Sequence, residues 1–138
     1  MTEEELRPHL EPAWTRVVAA LNLHRWNTEF AFAPAEDPES GRPRAALSVV
    51  TNYHGDPRAL ITIHPEGIRD LAAFRSGLLH EALHLVNDPY ERCITVLLRS
   101  AGETSTTLIR ELFREFDEEA VKHLERALAP LIFPEDHP

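Results

Sequence analysis

The chain has one cysteine, Cys93. A lone thiol rules out an intramolecular disulfide and a cysteine-built zinc cage, and it fits a reducing compartment. No window approaches 18 uncharged apolar residues, so no segment is expected to span a membrane. The opening residues, Met-Thr-Glu-Glu-Glu-Leu, carry acid where a secretory signal carries base followed by an apolar stretch. No signal peptide is expected, and the expected location is cytoplasmic. Positive charge is scarce as well, with 14 Lys and Arg against 23 Asp and Glu and a formal net charge of −9. A binder of phosphate backbones normally shows a basic face, so this balance argues against nucleic acid as a partner. What remains is 138 residues, 43% hydrophobic and 27% charged, a balance suited to a single globular domain over residues 1–138.

Residues 10–23 place Leu10, Trp14, Val17, Val18 and Leu21 at helical spacing, with Pro8 and Pro12 marking the start. Phe30 and Phe32 alternate as in a strand over 26–33. Residues 34–43 are dense in turn formers and read as a loop. Residues 45–53 and 59–64 read as two strands joined at His54-Gly55-Asp56-Pro57, which predicts an antiparallel pair. Leu71, Phe74, Leu78, Leu79, Ala82, Leu83 and Val86 then mark a helix over 67–86, expected to stop at Asn87-Asp88-Pro89. A short helix over 90–100 should break at Gly102. A further helical region runs to Ala129, capped by Thr104 or Ser105, with a restart at Asp117, and residues 130–138 should be loose. The order predicts an α+β fold: an N-terminal helix, a small antiparallel sheet of about three strands, a long helix and C-terminal helices.

The long helix carries His80-Glu81-Ala82-Leu83-His84, an H-E-x-x-H pattern. Residues four apart on a helix share a face, so both imidazoles can reach one cation. Glu81 is displaced from that face by one residue, where its carboxylate can meet a metal-activated water without taking a coordination position. The three polar residues interrupt an apolar run (Leu78, Leu79, Ala82, Leu83, Leu85), where burying them without a partner would be costly.

Leu78-Leu79-His80-Glu81-Ala82-Leu83-His84-Leu85 and the later Glu118-Glu119-Ala120-Val121-Lys122-His123-Leu124 resemble the zincin metallopeptidases. Within them the chain is most similar to minimal gluzincin and SprT-like proteins, especially small H-E-x-x-H proteins encoded by phages and bacteria. The resemblance covers roughly residues 26–128. It implies a zincin-like fold, one zinc ion held by His80 and His84, and hydrolysis of peptide bonds in a peptide or protein substrate with Glu81 as general base. A catalytic zinc takes three protein ligands and keeps one position open. The resemblance points to Glu118 as the third. On a straight helix Val121, Leu124 and Leu128 centre closer to Asp117 than to Glu118, so Asp117 stays open as an alternative, followed by Glu119 and His123. Glu91 is a competing choice, because ImmA-like zincins place a ligand in a Glu that opens a helix of this kind.

Other residues have plainer expectations. His64 reads as an exposed strand end. Tyr53, His54 and Tyr90 lie beside turn signals, although each could donate to a developing oxyanion. Cys93 reads as a small buried hydrophobe, and Trp14 and Trp26 as core or lid. Residues 59–64, directly before the motif helix, are the expected edge strand on which an extended peptide would add. Three alternatives to a peptidase remain at this level: a zinc-binding or interaction module without turnover, a SprT-like nucleic-acid-associated protein, and an acidic interaction protein with a chance motif.

Overall fold

The computed structural model describes residues 1–34, 45–52, 57–98 and 103–137. The turn with Tyr53 and His54, the break at Gly102, the side chains of Glu91, Thr104 and Ser105, and nearly all of the loop expected over 34–43 lie outside the described residues. The layout is α+β, with three helices and a three-stranded sheet.

Helix α1 spans Glu3–Leu21. It starts earlier than its apolar spacing suggests because Thr2 and Glu5 form a reciprocal capping box. Pro8 and Pro12 therefore lie inside it. Both are exposed, as are Glu4 and Pro8, whose carbonyls lose their usual donors and face water instead. Asn22 ends the helix in the left-handed region, at φ 55°.

The strands are β1 Asn27–Phe32, β2 Leu47–Asn52 and β3 Arg58–Ile63, in the order β1-β3-β2. β2 and β3 are antiparallel, as the turn signal between them predicts. β1 is parallel to β3, with Asn27 opposite Arg58 and Phe32 opposite Ile63, so the sheet is mixed rather than wholly antiparallel. This makes β3 the central strand and β2 an edge, which corrects the expectation that residues 59–64 form the edge. Ala59, Ile61 and Ile63 of β3 point into the core, while Leu60 and its cross-strand partner Val50 stay on the open face.

His64 is buried, not exposed. Its backbone N–H donates to Ala46 O at 2.8 Å, and its Nδ1–H donates to Ala33 O at 3.0 Å. The ring thus ties the end of β3 to the exit of β1, a role that exists only because those strands run parallel.

Helix α2 spans Leu71–Leu98, and the Asp70 carboxylate caps its first turn by accepting from Ala73 N–H at 2.8 Å. It runs straight through Asn87-Asp88-Pro89 and absorbs the short helix expected after them. Pro89 removes the N–H that would bond the Leu85 carbonyl and crowds that carbonyl with its ring, yet the helix continues through it. Asn87 spends its side chain on Asp117 at 2.8 Å and Asp88 is buried, so neither bends the chain into a turn. Helix α3, Glu103–Ile132, packs back along α2 and continues unbroken through Asp117. The residues beyond it are fastened, not loose. Phe133 is buried, and Glu135 and Asp136 pair with Arg16 and Arg75. Among the described residues no helix is long and apolar enough to cross a membrane.

Candidate metal centre

His80 and His84 lie one turn apart in the middle of α2, on the side that faces α3. Their Nε2 atoms approach to 3.3 Å. From α3, Glu118 brings Oε2 to 3.7 Å from His80 Nε2 and Oε1 to 3.5 Å from His84 Nε2. Among the described residues, His80, His84 and Glu118 form a group whose ligand atoms all lie within 4.8 Å of one another, close enough to hold a metal ion.

The donor chemistry fits such an ion. His80 Nδ1 lies 3.0 Å from Glu125 Oε2, and His84 Nδ1 lies 2.9 Å from Asp117 Oδ2. Carboxylates only accept, so each Nδ1 carries the proton and donates it. With Nδ1 engaged in this way, Nε2 is the nitrogen each ring can offer to a metal. The two Nε2 atoms, 3.3 Å apart with a carboxylate beside them, share either a proton or a metal cation. A tetrahedral cation with nitrogen ligands at roughly 2.0–2.1 Å sets its ligand atoms about 3.3–3.4 Å apart, which matches that separation.

The two outer carboxylates are themselves held. Ser76 Oγ donates to Glu125 Oε1, and Asn87 Nδ2 donates to Asp117 Oδ1 at 2.8 Å. Ser76 is one turn before His80 on α2, and Glu125 is two turns after Glu118 on α3. Those spacings are the only sign of Ser76 and Glu125 in the sequence, and they become meaningful only once the two helices are known to pair.

Glu81 leaves α2 on a different side, toward the edge of β2. Its carboxylate accepts a hydrogen bond from the backbone N–H of Val49. That donor is available for a topological reason. The bond from His64 to Ala46 makes 46 and 64 a bonded pair, so residues 48, 50 and 52 also bond inward to β3 while 47, 49 and 51 direct their backbone groups off the edge. Gly77, one turn before Glu81, lets α2 approach this edge, since a Cβ there would sit 2.7 Å from Leu47 Cδ1. Glu81 is buried, and burial pushes its pKa up; the neighbouring His84 and His80 pull it down, and Glu118 adds to the rise.

The other candidates divide. Asp117 holds the His84 ring and is not one of the three residues that could hold the ion. Glu119 and His123 are exposed, on the wall of an open cleft of about 650 Å³ whose described lining all comes from α3 and includes Glu118. His64 is committed to Ala33, and Tyr90 is exposed. Cys93 is exposed rather than buried. Trp26 is in the core, and Trp14 is half-buried with its ring edge-on to Phe30 at 5.4 Å. In comparisons with known proteins, no family model, no curated protein and no solved structure matches the chain.

Proposed function

We propose that this chain is a zinc-dependent metallopeptidase of the zincin type, acting on a peptide or protein substrate in the cytoplasm. One observation carries the reading: two imidazoles with their Nδ1 protons committed to carboxylates aim their Nε2 atoms, with Glu118, at a single point, and Glu81 stands beside them. The His2Glu set is a common one for catalytic zinc, and it leaves a fourth position open. A bound zinc would lower the pKa of a water in that position toward about 7 and polarise a substrate carbonyl.

The chain's own part in hydrolysis is proton handling and positioning. Glu81 takes a proton from the attacking water as the water oxygen bonds to the carbonyl carbon. It returns that proton to the amine nitrogen as the C–N bond breaks. Burial suits Glu81 to this task, since a carboxylate whose pKa is raised is a stronger base. Asp117 and Glu125 hold both imidazoles in one tautomer and one orientation.

The test has two parts. Protein purified without added metal should contain one zinc per chain, and Glu81→Gln should retain it. Hydrolysis of a mixed peptide library should fall by about 10²–10⁴-fold in that variant. Wild type without stoichiometric zinc removes the basis for the proposal. A second reading, a metal-holding module without turnover, draws on the bond that engages Glu81 with Val49. Stoichiometric zinc, no cleavage of any library member, and a large fall in melting temperature on chelation would favour it.

A further inference from the structure

We infer that Lys122 is the anion-receiving group of the His80–His84–Glu118 centre, the residue that meets a carboxylate oxygen, or the negative oxygen developing on a substrate carbonyl, at the open position. The inference rests on the metal-centre reading above. Lys122 lies one turn after Glu118 on α3, and its Nζ is 3.8 Å from Glu118 Oε2. That same oxygen is 3.7 Å from His80 Nε2. The ammonium therefore lies beside the carboxylate through which α3 would reach a metal. A divalent cation competes with Lys122 for it, and once Glu118 gives its charge to the cation, Lys122 loses its partner while remaining at the rim of the site.

The surroundings make that released charge useful. Glu81, Asp117, Glu118 and Glu125 all crowd the two imidazoles, a setting that repels an anionic ligand. Among the described residues, Lys122 is the cation that pairs with this group, through Glu118. It also lines the open cleft along α3 that reaches Glu118. With Glu118 committed to metal, Glu111, Glu115 and Glu119 on that wall are balanced by Arg114, Lys122 and Arg126, although the protein as a whole carries −9. An ordinary surface pair between residues four apart would stabilise the helix and do nothing else. A charge beside a metal must instead act in two opposite directions: it weakens the cation's hold and strengthens that of an anion.

The experiment uses the whole chain loaded with Co²⁺, whose visible absorption reports ligands at the metal, with acetate as the anionic probe and imidazole as the neutral one. Lys122→Met should bind Co²⁺ about three- to tenfold more tightly, since a like charge is gone. It should bind acetate about three- to tenfold more weakly and imidazole unchanged. Lys122→Arg should restore both values toward wild type. If Lys122→Met takes up Co²⁺ and binds acetate as wild type does, the role of Lys122 is overturned and the metal centre stands. If wild type takes up no Co²⁺, the metal centre fails and Lys122 fails with it.

Discussion

Orientation of an imidazole is a cheap property to lose and an expensive one to lack. A free histidine rotates about two bonds and exchanges its proton between two nitrogens, so a ligand pair works well only if something fixes both choices. Here Glu125 fixes His80 and Asp117 fixes His84, each through Nδ1, and Ser76 and Asn87 fix the carboxylates in turn. Glu125→Ala and Asp117→Ala should each weaken zinc binding by about 10–100-fold while leaving His80, His84 and Glu118 in place, as measured against a competing chelator. Unchanged affinity in both would mean the rings are held by packing alone. At this scale the sequence was partly legible. The spacing of His80, Glu81 and His84 is local, so helix geometry alone predicts their shared face. The roles on α3 are not local. The phase of the apolar residues put Asp117 deepest, and its side chain is indeed less exposed than that of Glu118, 16% against 41%. The centre, however, lies at the rim of the helix pair. The deeper acid therefore meets the far nitrogen of His84, and the shallower one reaches both Nε2 atoms.

Pairing of elements sets those distances. α2 runs beside β2 with residues 77 and 81, one helical turn apart, against residues 47 and 49 of the strand. One turn of helix rises about 5.4 Å and two residues of strand about 6.6 Å, so the two contacts keep step. The fit depends on Gly77. Alanine there would gain up to about 1 kcal/mol of helix propensity but would press its Cβ into Leu47, which is buried and cannot easily swing away. Gly77→Val adds more volume and no comparable gain. It should destabilise the fold by about 1–3 kcal/mol in urea unfolding and separate Glu81 from Val49. Wild-type stability in Gly77→Val would show that the edge is not closely packed. Element types and the antiparallel β2–β3 pair were readable from periodicity and turn residues, but the extent of the helices and the direction of β1 were not. Asn87-Asp88-Pro89 has turn chemistry, and only the contacts of Asn87 with α3 and the burial of Asp88 override it. The parallel β1–β3 pair joins residues 27–32 to residues 58–63, which are separated along the chain by all of β2, and no local pattern encodes that.

At the scale of the whole molecule, the last residues close the core. Phe133 is 1% exposed, and burying a side chain of this size contributes roughly 1.5–3 kcal/mol. Its ring lies under the Arg16 guanidinium at 4.8 Å, and Arg16 also donates to Ile132 O, so α1 is clamped to the end of α3. Arg75 of α2 joins at Asp136 Oδ1, 2.6 Å away. This latch has a charge signature. Hydrogen bonds from Arg16 lower the Glu135 pKa from its ordinary 4.5 to about 2. A carboxyl that ionises more readily in the folded chain stabilises the fold fully above its unfolded pKa, and that stabilisation disappears as pH falls through the folded value. Glu135→Gln should therefore lower the urea midpoint at neutral pH. The gap from wild type should stay flat down to about pH 4.5 and close between about 4.5 and about 2. The metal-centre carboxylates are common to both proteins and cancel in the difference, so the gap isolates the latch. A gap of constant size across that range would show that Arg16 holds the tail through Phe133 and the Ile132 carbonyl, without help from the Glu135 charge.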